Sequence, residues 1–95
     1  RTVVPAADLL TTAIDFAREL VTGRSAVSIA LIRQMVLSNS AQPHPRPAHD
    51  LESLAMFYTA KGDGKEGVAA FLEKRSPEFG SRASQMPPFH PWNRN

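Results

Sequence analysis

The stretch EGVAAFLEKRSPEF, residues 66–79, has the pattern of a short amphipathic helix. Apolar residues recur at helical spacing, and Pro77 stops the helix just after two cations, Lys74 and Arg75. On a first interpretation these residues are structural. The two cations interact with the negative end of the helix and stabilise it by about 0.3–1 kcal/mol, and Phe71 is part of the core. On a second interpretation, Phe71 and Lys74 share a face at i and i+3, where a ring-bearing, phosphorylated ligand binds.

The residues before this stretch, DGKE, predict how the helix begins. The Asp63 side chain is placed to accept a hydrogen bond from the amide three residues on, and Glu66 is placed to reach back. We therefore expect a capping box, with aspartate in place of serine or threonine. Glu73 is expected to be an exposed helix residue.

Similar signals predict three more helices upstream. Pro5 suits the first turn of helix one, Gly23 its C′ position, and Ser25 the cap of helix two. The prolines of the stretch AQPHPRPAH exclude helix before Pro47, where helix three begins. The predicted fold is all-α, with four helices at about 6–22, 26–39, 48–60 and 64–75 and an extended, proline-rich tail.

The predicted organisation is a helical unit over 1–79 and a tail over 80–95. Four large apolar residues are expected to anchor the C-terminal part of the chain onto a surface: Phe79, Met86, Phe89 and Trp92. Strand character is confined to Thr2 to Val4. Helix two is apolar on most sides, so it is expected to be buried from more than one direction. We therefore expect the isolated chain to self-associate through this helix.

Composition narrows the possible functions. The 95 residues contain no cysteine, which excludes disulfides and thiolate catalysis and fits a reducing compartment such as the cytoplasm. The net charge of +2 is too small for a dedicated nucleic-acid binder, and no apolar run is long enough to span a membrane. Because the chain begins at Arg1, we expect truncation or processing to have made its N-terminus.

Candidates for chemistry are few. No nucleophile motif or glycine-rich phosphate loop occurs, and Asp50 and Glu52 point to different helix faces, so they are not an acid/base pair. The histidines at 44, 49 and 90 match no metal spacing and are interpreted as solvated loop residues. We therefore expect no metal and no catalytic residue in this chain.

The helix at 66–79 strongly resembles the last helix of the crotonase (enoyl-CoA hydratase/isomerase) superfamily. That ending reads D-x-x-EG-x-x-AF-x-EKR-x-P-x-F, and every letter is present between Asp63 and Phe79. The earlier stretches VVP with LL, SAVSIALIRQM and DLES, and the tail PPFHPW, resemble the same family in the same order. Ala26 departs from it, since proline is common there.

The resemblance implies a specific role for this segment. The family's α/β core, with its oxyanion hole and catalytic glutamates, precedes these helices and is absent from the chain. The chain therefore resembles the C-terminal part of such an enzyme, an enoyl-CoA hydratase or isomerase of fatty-acid metabolism that uses acyl-CoA as substrate and no cofactor. The resemblance implies that Phe71 and Lys74 contact the CoA adenine and phosphate, and that the full-length protein is a trimer or hexamer.

An interpretation from another class stays open. The chain can instead be a stand-alone helical interaction module that binds a peptide or another partner through its basic end and aromatic tail. The reading frame upstream of Arg1 distinguishes the two interpretations, because only the enzyme requires a core with strands there.

Overall fold

The structure, a computed structural model, describes residues 2–88 and is all-helical over that range. A 3-10 turn, Ala6–Asp8, leads into α1 (Leu9–Val21), which is followed by α2 (Ala26–Asn39), α3 (Pro45–Lys61) and α4 (Asp63–Glu73). Thr2 to Val4 has no regular secondary structure. The predicted all-α class and its four helices are confirmed. Phe89, His90 and Trp92 lie outside the described residues.

The turn between α1 and α2 follows from two local signals. Gly23 has a φ of 69°, which glycine adopts without the steric cost that a side chain would add. The Ser25 hydroxyl then accepts a hydrogen bond from the Ser28 amide at 3.3 Å and caps α2. Both predictions for this turn are confirmed.

The start of α3 contradicts the sequence prediction. The helix begins at Pro45, with Pro47 inside its first turn. The expectation was wrong because first-turn amides have no partner within the helix, so a proline there loses no hydrogen bond. His44 is the cap, since its Nδ1 accepts from the Arg46 amide at 3.1 Å. His49 lies within α3 and not in a loop.

Only Gly62 separates α3 from α4, so the two helices meet at very short range. A Cβ atom at Gly64 would lie 2.8 Å from the backbone oxygen of Thr59, which is closer than real contacts allow. Glycine at position 64 is therefore required for this junction. The junction fixes the N-terminus of α4 against the end of α3.

The core lies where α2 packs on α3. Val27 and Leu31 of α2 and Ala55 of α3 are buried, and Leu31 is only 1% exposed. Met35 and Met86 pack against this cluster. Burying a leucine side chain contributes roughly 1.5–3 kcal/mol, so this small cluster is the main apolar contribution from α2 and α3.

Much of the apolar surface of α1 and α2 is left uncovered. No residue of α1, all of whose residues are described, is buried, and α1 meets α2 at a bend of 109°. On α2, Val36 is 64% exposed and Ile32 and Leu37 are also exposed. The expectation that α2 is buried from more than one direction therefore fails for residues 2–88, because only its Val27 and Leu31 side is covered.

Hydropathy and length add one finding about α1 and α2. Within residues 2–88, no single helix is both long and apolar enough to cross a membrane. Ala6–Val21 and Ala26–Asn39 meet the criteria of length and composition only when they are counted together as a bent pair.

The segment after α4 returns across the helices. The Phe79 ring lies beside Gly67 of α4, Met86 joins the core cluster and Pro87 is fully buried. The Tyr58 hydroxyl of α3 donates to the Gln85 carbonyl at 2.9 Å. Contacts at Phe79 and Met86 agree with the anchoring expected from the sequence.

The Asp63 carboxylate joins three parts of the chain. It accepts hydrogen bonds from the Ser25 hydroxyl at 2.6 Å and from the Ser81 hydroxyl. Ser25 caps α2 and is only 8% exposed, while the Ser81 oxygen accepts from the Val27 amide at 3.4 Å. Asp63 is the first residue of α4, so its charge also suits the N-terminal end of that helix.

We expect Asp63→Ala to lower the free energy of unfolding by about 1–3 kcal/mol, because it leaves the part-buried Ser25 and Ser81 hydroxyls without their acceptor. Urea unfolding followed by circular dichroism measures this change. Asp50→Ala is the matched control, since Asp50 is exposed and pairs with Arg46 one turn away. Equal losses in the two variants would contradict the role assigned to Asp63.

Candidate functional site

The C-terminal end of α4 is closed by a tight, left-handed turn. The helix ends at Glu73, and Lys74 follows with φ 54° and ψ 42°. The Arg75 amide donates to the Ala70 carbonyl at 3.0 Å, and the Lys74 amide donates to the Phe71 carbonyl at 3.3 Å. These two bonds form the Schellman arrangement, in which glycine usually occupies the position that Lys74 holds here.

This turn corrects the predicted end of the helix. Residues 64–75 were expected to be helical, yet Lys74 and Arg75 lie beyond α4. The helix ends early because Pro77 disfavours helical geometry at Ser76 and the Schellman bonds satisfy the last carbonyls. The simple i, i+3 relation between Phe71 and Lys74 therefore does not apply, although the two residues still flank the same helix end.

Arg75 connects the beginning of α4 to its end. Its two terminal nitrogens donate to the Glu66 carboxylate at 2.6 and 3.1 Å, and its Nε donates to Glu73 at 2.6 Å. Glu66 also accepts from the Glu78 amide at 2.8 Å. Paired, parallel hydrogen bonds of this kind are geometrically specific, unlike most exposed ion pairs.

The expected capping box is wrong. Asp63 is the first helical residue and makes no side-chain cap, since Ser25 and Ser81 occupy its carboxylate. Glu66 points its carboxylate to Arg75 and the Glu78 amide and not to the start of the helix. Partners distant in sequence have displaced the local ones.

The carboxylates of Glu66 and Asp63 are both stabilised in their charged form. The Arg75 guanidinium, followed by the Glu78 amide, lowers the pKa of Glu66 from 4.5 to about 2. The Ser25 and then the Ser81 hydroxyl lower the pKa of Asp63, while partial burial opposes the shift. The Glu66 carboxylate, followed by the Glu73 carboxylate, raises the pKa of Arg75 above its usual value.

Phe71 and Lys74 are the two predicted site residues, and both are accessible. Phe71 is 82% exposed although it lies in the last turn of α4, and Lys74 is also exposed. Glu66 and Glu73 engage the guanidinium of Arg75, whereas the Lys74 ammonium has no ion-pair or hydrogen-bond partner within residues 2–88. An aromatic face and an unpaired cation can receive a planar ring and a phosphate group.

A concave surface lies between α3, the start of α4 and the returning segment. This α3–α4 groove has a volume of about 740 Å³. Its lining is mostly apolar, and the Lys61 ammonium lies 5.0 Å from the Phe57 ring centre at one side. The residues that line it include Val27, Leu54, Phe57, Tyr58, Asp63 and Ser81.

The described residues offer no arrangement for metal chemistry. No cluster of three or more histidine, aspartate or glutamate side chains that could hold a metal occurs between Thr2 and Pro88. Asp50 pairs with Arg46 at the surface, and Glu52 is exposed. His44 caps a helix and so has a structural role.

Comparison with known proteins confirms the resemblance seen in the sequence. The chain is 37% identical over 79 residues to the enoyl-CoA hydratase ACTT3 of Alternaria alternata. It is 39% and 41% identical over 80 residues to the enoyl-CoA hydratases AFT3-1 and AKT3-2 of the same organism. Each match covers 82% of this chain. No family model matches the chain.

This chain is much shorter than the three relatives. The chain spans 26% of the length of each of these curated relatives. The chain is thus similar to part of an enoyl-CoA hydratase, in agreement with a fragment of a crotonase-type protein.

Sequence reasoning missed two features of this site. Ser81 was not singled out, and no local pattern marks it as a partner of a residue 18 positions earlier. The left-handed turn at Lys74 does have a signal in the sequence. The segment between the last apolar residue and Pro77 contains no glycine, so a residue with a side chain had to close the helix.

We expect the Glu66 interaction to stabilise the fold above the ordinary carboxyl pKa of 4.5 and to be lost as the pH falls toward about 2. The sign follows from the lowered pKa, because acid must protonate Glu66 before the Arg75 bonds break. Urea midpoints of the wild type and of Glu66→Gln, measured from neutral pH to pH 2, test this.

The difference between the two midpoints should be constant at neutral pH and vanish near the acid limit. A difference that does not change with pH would contradict the assigned ion pair. Glu52→Gln serves as the control, since Glu52 is an exposed glutamate with no ion pair in the described range.

Proposed function

We propose that this chain is the C-terminal part of an enoyl-CoA hydratase/isomerase-like enzyme that adds water to the double bond of 2-enoyl-CoA in fatty-acid metabolism. The similarity to three enoyl-CoA hydratases, together with the short share of their length, supports this assignment. In this proposal the segment supplies subunit contacts and the end of the site that receives the CoA adenine and phosphate. No residue of the chain is assigned a catalytic role.

The observation that carries the proposal is the pair at the end of α4. A phenylalanine that is 82% exposed gives up most of the roughly 1.5–3 kcal/mol that burial would contribute. In the proposed enzyme the adenine ring covers Phe71. Stacking of a base on an aromatic ring contributes roughly 1–3 kcal/mol, which is of the same size.

The conformation of Lys74 supports the second contact. A residue with a side chain costs roughly 1–2 kcal/mol in the left-handed region, where glycine costs nothing. Such an outlier is a reason to look for a function of the side chain. We assign Lys74 to a CoA phosphate, for which an ammonium is a suitable point charge.

The uncovered faces of α1 and α2 fit the same assignment. Their exposed apolar residues, such as Leu10 on α1 and Val36 on α2, form surfaces that a small monomer rarely presents. We propose that the catalytic core and neighbouring subunits of a trimer or hexamer cover these faces. Isolated from them, the chain self-associates.

We expect Lys74→Gly to weaken CoA binding roughly tenfold, because the charged contact to phosphate is lost. The same change is expected to raise the free energy of unfolding by about 0.5–1 kcal/mol, since relief of the left-handed strain exceeds the added flexibility of the unfolded chain. Titration with CoA followed by NMR, together with urea unfolding, measures both effects.

The matched control is Lys65→Gly, which replaces an exposed lysine within α4 itself. It is expected to lower stability by about 0.5–1 kcal/mol and to leave CoA affinity unchanged. Unchanged CoA affinity in Lys74→Gly would refute the assignment of Lys74.

We expect light scattering on a dilution series to show concentration-dependent association of the chain. Val36→Lys should shift it toward the monomer, because the new charge lies on the exposed face of α2. Val3→Lys is the control, since Val3 is fully exposed outside the helices. A monodisperse monomer at every concentration would argue against the missing-partner account.

The α3–α4 groove favours a second candidate, the stand-alone module that binds a peptide. The groove has a volume of 740 Å³ and an aromatic lining, so it can accept one or two apolar side chains of a partner. The reading frame upstream of Arg1 separates the candidates. Strands and an oxyanion-hole loop encoded there support the enzyme, and their absence supports the module.

A further inference from the structure

The cost of the left-handed residue must be offset by its surroundings. The two Schellman hydrogen bonds are available to any residue at position 74, and glycine would make them without strain. Because the segment before Pro77 contains no glycine, the strain of a residue with a side chain remains to be offset. The side chains on either side of position 74 make contacts that can offset it.

Arg75 bonds to residues on both sides of Lys74. Its Nε donates to Glu73, the residue before Lys74, and its terminal nitrogens donate to Glu66, two turns earlier on α4. One terminal nitrogen also donates to the Ser76 carbonyl at 3.3 Å. The residues before and after Lys74 are thus joined by one side chain, which is held by three residues.

The chain leaving the turn is fixed as well. The Glu78 amide donates to the same Glu66 carboxylate that Arg75 uses, and Pro77 restricts the backbone between them. The residues on both sides of Lys74 are therefore held by bonds to one side chain, Glu66. This leaves the backbone dihedrals of Lys74 little freedom to relax toward the right-handed helical region.

We propose that Arg75 is a positioning residue, which holds the Lys74 turn left-handed so that the ammonium and the Phe71 ring are presented together to a 3′-phosphorylated adenine nucleotide. The inference rests on the proposed CoA role of Phe71 and Lys74. We assign Arg75 no contact with the ligand, because Glu66, Glu73 and Ser76 accept hydrogen bonds from four of its five N–H donors.

The experiment has a conformational arm and a ligand arm, both on the full chain. A positive φ at residue 74 gives a strong intraresidue NOE between its amide and Hα protons, which Arg75→Gln is expected to remove. CoA and dephospho-CoA, which lacks the 3′-phosphate, are titrated into each protein. The wild type should prefer CoA roughly tenfold or more, and Arg75→Gln should lose that preference.

Two further variants keep the inference falsifiable if Arg75→Gln unfolds. Glu73→Gln removes the charge from one of the two carboxylates that bond Arg75 and should reduce the CoA preference partially. Arg75→Lys keeps the charge without the fork that spans two carboxylates, so it should rescue the preference only in part. Arg82→Gln is the control, because Arg82 is an exposed arginine without an ion pair in the described range.

The outcomes separate the two claims. A wild type that binds neither CoA nor dephospho-CoA overturns the proposed CoA role and the inference with it, whereas equal binding of the two overturns the inference alone. A wild type that prefers CoA, with Arg75→Gln and Glu73→Gln retaining the full preference or the strong NOE, overturns the positioning role alone. Loss of both signals in Arg75→Gln, with Arg82→Gln unchanged, supports it.

Discussion

The hydrogen bonds to the Asp63 carboxylate determine how the rest of this structure is arranged. One oxygen of Asp63 receives the hydroxyl that caps α2 and the Ser81 hydroxyl of the returning segment. Because Asp63 begins α4 and Gly62 directly follows α3, the same point also fixes the angle between those helices. With only a few buried apolar residues, the fold depends on this polar junction more than a larger domain would.

From this junction α4 leads to the candidate ligand site at its other end. The Glu66–Arg75 pair joins the first turn of α4 to the turn that follows its end, and Glu66 also bonds the segment that Ser81 anchors. The hydrogen bonds to Asp63 therefore fix the beginning of α4, and the bonds between Glu66 and Arg75 fix its end. Phe71 and Lys74 are exposed at the end of this element, which suits the ligand contact proposed for them.

The parts of this structure that could be predicted are those decided by local chemistry. Four helices, the Gly23 turn and the Ser25 cap follow from periodicity and from the backbone preferences of single residues. The start of α3 was missed because the proline rule was applied without its first-turn exception. The roles of Asp63 and Glu66 were missed because their partners lie up to 38 positions away, beyond any local pattern.

The candidate site also combines features that the sequence predicts with features that depend on distant contacts. Phe71 and Lys74 could be selected as candidates from the sequence because the family ending is specific, but their geometry could not be predicted. The left-handed turn arises from a competition between Pro77, the Schellman bonds and the Arg75 network, and its outcome depends on all three. The exposure of Phe71 depends on which surfaces are present to cover it, which no single helix pattern specifies.

The most direct measurement is a set of intermolecular NOEs between CoA and the chain labelled on its phenylalanine rings. We expect NOEs from the adenine protons to the ring of Phe71, which lies at the exposed end of α4. NOEs from the adenine protons to Phe57 instead, in the α3–α4 groove, would contradict this expectation and place the ligand in the surface that favours the alternative function.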